Sequence, residues 1–271
     1  MLAIFKDALI DTLKLIPFLF ISFIIMELIE HKITNKKKLT KLNKFGPLAG
    51  SALGIIPQCG FGALASNLYA ARVISLGTLI SIYLSTSDEM IPIMLSEQTA
   101  ISKILPILLY KFLLGLFFGL LIDIIYHKKI SNEVHQFCEE EHCHCEKEGI
   151  IKPSIIHTFK IALFIFIVNF ILNGIINPEI ITNFVSNNRI LSPIIMSIIG
   201  LIPNCATSVI ITELYLDDII TFGSMLGGLL SSSGVGLLIL FKQNKNLKEN
   251  ITILFLLIII ASLCGIIFNY V

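Results

Sequence analysis

The sequence predicts an all-α polytopic membrane protein built from two inverted-topology repeats, each carrying a proline-broken re-entrant helical hairpin. Three observations carry this. The 271 residues are 55% hydrophobic and 14% charged, with a mean hydropathy of +0.87, whereas soluble domains carry about 25% charged residues. The stretch from Gly46 to Leu95 recurs without a gap as Ser192 to Phe241, an offset of 146, with roughly a quarter of the positions identical, as internal repeats show. Both copies are interrupted at matching places, Pro57-Gln58-Cys59 and Pro203-Asn204-Cys205. Proline inside an apolar helix removes an amide donor and frees an upstream carbonyl. Such a break is usually tolerated at membrane depth only where protein or water surrounds it.

In chain order, Ala8 to Ile29 reads as a first spanning helix. No small-residue cleavage site follows it, so it reads as a retained helix and not a signal peptide. The loop His31 to Lys44 carries six lysines and should be cytoplasmic by the positive-inside rule. Pro47 to Ala71 either spans once or forms two half-helices meeting at Pro57. Leu76 to Leu95 is a further segment, broken at Ser85-Thr86-Ser87, and Ile101 to Tyr126 closes the first half. A polar linker follows, and the second half repeats the order. The expected organisation is a first membrane repeat at 1–126, a linker at 127–152 and a second membrane repeat at 153–271. Runs such as Ile155 to Ile176 and Ile251 to Ile267 are long enough to cross a bilayer.

Charge placement favours the hairpin. If Pro47 to Ala71 returns to its own side, each half crosses an odd number of times and the halves are inverted. Arg72, Lys128, Lys129, Lys147, Lys152, Lys242, Lys245 and Lys248 then all lie inside, with Lys6, Lys103 and Arg189 outside. The basic loop His31 to Lys44 has as its repeat partner Asn177 to Leu191, with Arg189 as its one cation, and Arg72 corresponds to Asp218. Opposite charge at equivalent loops is expected of inverted repeats.

Candidate ion ligands cluster at the breaks. Gln58, Cys59, Asn204 and Cys205 follow the two prolines, where amides, thiols and freed carbonyls can replace part of a hydration shell. The alternative is that the amides satisfy broken backbone and the thiols fill space. Asp88 and Glu89 are intramembrane carboxylates, each costing about 2.5–3.5 kcal/mol on insertion scales for aspartate. Their repeat partners are Gly234 and Val235, so one half carries the charge. The pair suits a cation or a coupling proton, or alternatively caps the helix that begins at Met90. Ser85, Thr86, Ser87, Ser231, Ser232 and Ser233 offer hydroxyl ligands, although bonding back to a helix turn is the commoner use of such groups. Glu27, Glu213, Asp123, Asn67, Asn169, Asn173 and Lys111 are weaker candidates. The acids lie near segment ends, and Lys111 reaches a carboxylate or the headgroups.

The linker brings His135, Cys138, His142, Cys143, His144 and Cys145 close together among acidic residues. Thiolate and imidazole are ligands for zinc-like and copper-like ions. The spacing is not that of a finger, so the expectation is a loose metal-collecting segment on the cytoplasmic face, against the alternative of a solvated charged linker.

Some chemistries lack their parts. There is no P-loop to make ATP the driver and no HExxH or GxSxG motif. No basic patch lies beside exposed aromatics, so nucleic acid is not an expected partner. No cofactor is expected. An intramembrane enzyme using Cys59 or Ser87 has no core histidine as base, with His157 at a segment edge.

The stretches GIIPQCGFGALASNLY, GTLISIYLSTSDEMIPI and GLIPNCATSVIITELYL resemble a family of ten-transmembrane heavy-metal exporters. Its members carry labels such as manganese transporter or arsenic efflux permease. Five segments per half, counting each hairpin as two short helices, agree with that family's ten. The resemblance implies secondary active efflux of a divalent transition metal or metalloid across the cytoplasmic membrane. The expected partners are the metal ion as substrate, protons as coupling ion and membrane lipids. Oxygen ligands favour manganese and thiols favour softer ions. An uptake carrier or channel for another small solute is the alternative.

Overall fold

The computed structural model describes residues 45–57, 59–87, 89–126, 151–175 and 191–270, together with most of 5–24. The described residues between 5 and 24 are helical. Eleven further helices follow among the described residues: α1 (Gly46–Gly54), α2 (Cys59–Ala70), α3 (Leu76–Ser85), α4 (Met90–Ser96), α5 (Ile101–Ile125), α6 (Ile151–Ile175), α7 (Ser192–Gly200), α8 (Cys205–Leu216), α9 (Phe222–Ser231), α10 (Gly236–Gln243) and α11 (Leu247–Tyr270). No strand occurs among the described residues. The helix α6 begins at Ile151, two residues before the expected start of the second repeat. Four helical stretches among the described residues are long and apolar enough to cross a membrane: Ile101–Ile125, Ser154–Ile171, Phe222–Gln243 and Leu247–Tyr270. The chain is an all-helical, multi-pass membrane protein.

The duplication extends from sequence to helix boundaries. Adding 146 carries α1, α2 and α3 onto α7, α8 and α9 residue for residue at both ends. The local devices recur too. Ser75 caps α3 by accepting from the Thr78 amide, and Thr221 caps α9 by accepting from the Ser224 amide. A serine or threonine oxygen here satisfies an amide that has no helical partner. Proline occupies the first turn of α1 and of α7, where its missing N–H costs nothing. The helices α2 and α8 both end on a left-handed residue, Arg72 at φ 62° and Asp218 at φ 57°. In each case the next amide reaches back five residues, Val73 to the Leu68 carbonyl at 2.8 Å and Ile219 to the Leu214 carbonyl at 2.9 Å, a glycine-type terminus made without glycine.

Lipid-facing and interior stripes separate cleanly on the long helices. On α5 the exposed side is Leu105, Leu109, Leu113 and Phe117, and on α11 it is Ile251, Phe255, Ile259 and Leu263, again 146 apart. Their opposite faces are narrow. A β-carbon at Gly77 would overlap the Gly119 carbonyl, and one at Gly223 would overlap the Gly265 carbonyl. Small residues let the backbones of α3 and α5, and of α9 and α11, approach closely, as membrane helices without a hydrophobic driving force require.

These contacts also fix directions. Along α1, β-carbons at Gly46, Gly50 and Gly54 would meet Thr78, Ser81 and Ser85 in turn, so α1 and α3 run side by side in the same sense. Gly115 faces Ser81 and Ser85 while Gly119 faces Ser81 and Gly77, so α5 runs against α3. Between the units the packing is reciprocal, with α2 on α10, α8 on α4, and α3 on α9. Ser66 joins three helices across this seam. Its Oγ lies 2.7 Å from the Gly236 carbonyl, 2.6 Å from the Gly62 carbonyl and 2.7 Å from the buried Tyr83 hydroxyl. With one proton to give, Ser66 donates to a carbonyl and accepts from Tyr83.

Candidate functional site

The helices α3 and α9 stop in mid-chain, and the residues that stop them build the site. Thr86 leaves helical geometry with ψ 126° and Ser232 with ψ 100°. The chain resumes as α4 and α10 after a few residues. Helix ends leave carbonyls without intrahelical donors and place partial negative charge at the C-terminus. The surrounding protein makes this tolerable. Of the most apolar 18 residues in Phe222–Gln243, which contains the second break, 89% are buried, against 28–39% for the corresponding runs of the other candidate spans. Every residue from Gly77 to Ser85 is buried as well.

The six hydroxyls at the breaks have different uses. Ser85 Oγ donates to the Ser81 carbonyl at 2.7 Å, Thr86 Oγ1 to the Ile82 carbonyl at 2.7 Å, and Ser87 Oγ to the Ser85 carbonyl at 3.2 Å. Ser231 Oγ donates to the Gly228 carbonyl at 3.0 Å. Those four are bonded back to the chain. Ser232 and Ser233 are buried with hydroxyls that meet no hydrogen-bond partner, as are Thr207 on α8 and both amide atoms of Asn169 on α6. Buried polar groups are nearly always paired; these groups, like the hydroxyls of Ser192 and Ser262 elsewhere in the fold, have hydrogen-bonding capacity that the protein itself does not use.

Lys111 is the residue that sequence reasoning undervalued. It is fully buried in the middle of α5. Its ammonium donates to the Thr86 carbonyl at the first break and to the Leu229 carbonyl, 2.9 Å away, in the last turn of α9. It therefore reaches neither headgroups nor solvent. One cation joins the C-terminal ends of two half-helices that come from opposite repeats. The available signal was its position. Lys111 is the charge on a face otherwise made of Ile104, Ile107, Gly115 and Gly119, and its repeat partner is Leu257.

The other expected ligands fall as follows. Glu89 is half-buried and precedes α4 without a side-chain capping bond, so its carboxylate is not spent on the helix end. Asn204 is buried, and its Oδ1 accepts from the Ala206 amide at 3.1 Å, which uses that oxygen as a cap for α8. Cys205 is buried in an apolar cluster with Ala63, Val235 and Ile239. Gln58, Asp88 and the side chain of Cys59 lie outside the described residues, as do His135, Cys138, His142, Cys143, His144 and Cys145. Among the described residues no three His, Cys, Asp or Glu side chains group to hold a metal. Asp123, expected to be solvated, instead accepts from Ser75 Oγ at 2.7 Å and from the Gly77 amide at 2.8 Å, which fixes the start of α3. His157 lies within α6, buried, with its ring stacked on Phe23 at 5.6 Å. What the arrangement offers a ligand is an oxygen-rich, carbonyl-lined crossing with an ammonium already in it.

A family model described as "Putative, 10TM heavy-metal exporter" matches residues 1–180. The chain belongs to this family. The match covers the first repeat with both of its interruptions, the linker and the start of the second repeat, whose remainder is tied to the first by the constant offset of 146. The exporter family is a class of transporters and implies a metal ion as substrate. No curated protein and no solved structure matches the chain.

Proposed function

We propose that the protein is a secondary active transporter that exports a divalent transition metal across the cytoplasmic membrane, exchanging it for protons, with the crossing of the two helix breaks as its transport site. The observation that carries this is the convergence of the α3 and α9 C-terminal ends on one buried point, the Thr86 and Leu229 carbonyls meeting at the Lys111 ammonium. Freed carbonyls and hydroxyls, completed in this reading by the carboxylates of Asp88 and Glu89, would make an oxygen set suited to a hard cation such as Mn2+. Paired discontinuous helices that meet near the membrane midplane are the usual transporter solution.

The inverted-hairpin reading has two supports. At about 1.5 Å per residue the nine residues of α1 reach about 14 Å, under half of a hydrocarbon core of about 30 Å. Because α1 runs parallel to α3 and starts beside Thr78, α2 must carry the chain back to the level at which α1 began. Each half then crosses three times, and the halves are inverted. The ion pair between Arg72 and Glu249, 2.8 Å apart, fits this. Three crossings per half put both residues on one face, whereas a spanning Pro47–Ala71 puts them on opposite faces.

Reconstituted protein loaded with Mn2+ should exchange it for protons, and Asp88→Asn together with Glu89→Gln should abolish that exchange. Absence of Mn2+, Zn2+ and Cd2+ flux from active-folded protein sinks the proposal. A second reading, a carrier for an arsenic oxyanion or for arsenite, draws on the buried ammonium of Lys111. Arsenite flux without divalent-metal flux would favour it.

The linker acts beside the site in this reading. His135, Cys138, His142, Cys143, His144 and Cys145 capture transition metal through imidazole and thiolate in the reducing cytoplasm, where thiols persist, and raise its concentration at the entrance.

A further inference from the structure

We propose that Lys111 is a tethered exchange cation: its ammonium occupies the coordination position of the transported ion, and the ion must displace it to bind. The inference rests on the cation-transport reading above and assigns a role to a residue that reading does not use. Four observations carry it. The ammonium is held by the Thr86 and Leu229 carbonyls, which belong to the ends of two half-helices where oxygen ligands and negative dipole ends converge. Carbonyl and hydroxyl oxygens that hold an ammonium also replace the water around a metal cation. The unpaired hydroxyls of Ser232 and Ser233 lie in the break that follows α9, three and four residues after Leu229, and are the further ligands assigned to the ion here.

The fourth observation is the repeat itself. At the position equivalent to Lys111 the second unit has Leu257, also fully buried. The flanking positions match as well, with Ile104 over Asn250, Ile107 over Ile253, Gly115 over Ala261 and Gly119 over Gly265. The helix packing of this fold is therefore satisfied by an apolar side chain. A lysine there carries a burial cost that the packing does not require. A cation supplied by the protein offsets this by keeping the carbonyl ends compensated whenever the transported ion is absent. Without it, an empty site would leave two converging helix ends desolvated and unpaired. Displacement swings the flexible four-carbon stem aside, a motion that lysine permits and a planar guanidinium resists.

The test uses the full-length protein in nanodiscs with Mn2+ as probe. Removing the competitor should raise affinity: Lys111→Met should bind Mn2+ at least tenfold more tightly than wild type. Its thermal unfolding temperature should be lower without metal and return to the wild-type value when Mn2+ is added. Lys111→Arg keeps the charge and should show no such gain. Lys111→Gln serves the same comparison if the methionine variant does not fold. A measurement on wild-type protein needs no variant: reductive methylation of Lys111, followed by mass spectrometry, should rise at least threefold when Mn2+ is bound. Wild type that binds Mn2+ while Lys111→Met binds it equally or more weakly overturns the exchange role alone. Unchanged Lys111 methylation does the same. Mn2+ binding by neither wild type nor variants overturns the cation reading together with it.

Discussion

Six hydroxyls stand at two equivalent breaks, and their hydrogen bonds separate them more sharply than their identity does. Ser85 and Ser231 are equivalent and both bond back to their own helices. Ser87 and Ser233 are equivalent too, yet Ser87 bonds to the Ser85 carbonyl and Ser233 meets no partner. The deletion of an unpaired hydroxyl removes no bond. Ser232→Ala combined with Ser233→Ala should therefore alter stability by less than about 0.5 kcal/mol, or raise it, while weakening Mn2+ binding about tenfold. Calorimetric titration beside thermal unfolding reads both effects, and unchanged affinity would remove these serines from the site. Ser66→Ala should behave in the opposite way. It strands the Tyr83 hydroxyl and the Gly236 carbonyl in the seam between repeats and should cost about 1–3 kcal/mol. A loss of less than half a kcal/mol in denaturant unfolding would refute that role.

At the scale of single helices, glycine decides how near α3 and α5 can lie. Gly77 touches both the Gly119 carbonyl and the Asp123 carboxylate, so a larger side chain must push α5 away and release the cap on α3. Gly77→Leu, and equally Gly223→Leu against the Gly265 carbonyl, should destabilise the fold by about 3 kcal/mol or more, at or beyond the upper end of ordinary overpacking. Yield and monodispersity after detergent extraction would show it, and wild-type behaviour of either variant would mean the helices have room that the structure denies. The left-handed ends of α2 and α8 give the reverse case. Asp218 sits at φ 57°, where a β-carbon is disfavoured, so Asp218→Gly should stabilise by about 0.5–1 kcal/mol. Arg72 at φ 62° should not gain in the same way, because Arg72→Gly also gives up the ion pair to Glu249.

For the whole molecule, reciprocal packing of α2 on α10 and α8 on α4 interlocks the repeats, so neither half buries its own interior alone. The proposed inverted arrangement makes a direct prediction about Arg72 and Glu249. Arg72→Cys with Glu249→Cys should cross-link within one chain, and both thiols should react only with reagents supplied on the cytoplasmic side. Reaction of the Arg72 position from outside, with Lys41→Cys reacting from inside, would rule out the hairpin. Deleting 134–146 should leave maximal transport intact and weaken it at low metal, because local capture alone is lost. Loss of transport at saturating metal would place those cysteines and histidines in the path itself.

The sequence by itself determined the membrane class, the duplication and the places where the helices stop. These follow from local rules: apolar length against bilayer thickness, proline without an amide proton, and serine or threonine at a helix start. Because the two copies obey the same rules, α1 to α3 and α7 to α9 end at corresponding residues. Which polar group at a break is free for a ligand depended on contacts far apart in sequence. Ser232 and Ser233 read the same as their partners until their surroundings were known, and Asp123 reads as a solvated end until α3 is placed against α5. Lys111 is the clearest instance. One of the carbonyls it donates to is 25 residues away and another 118, in the opposite repeat. A charge in an apolar run signals only that something must compensate it. The folded arrangement alone decided that the compensation comes from two broken helix ends meeting at one point.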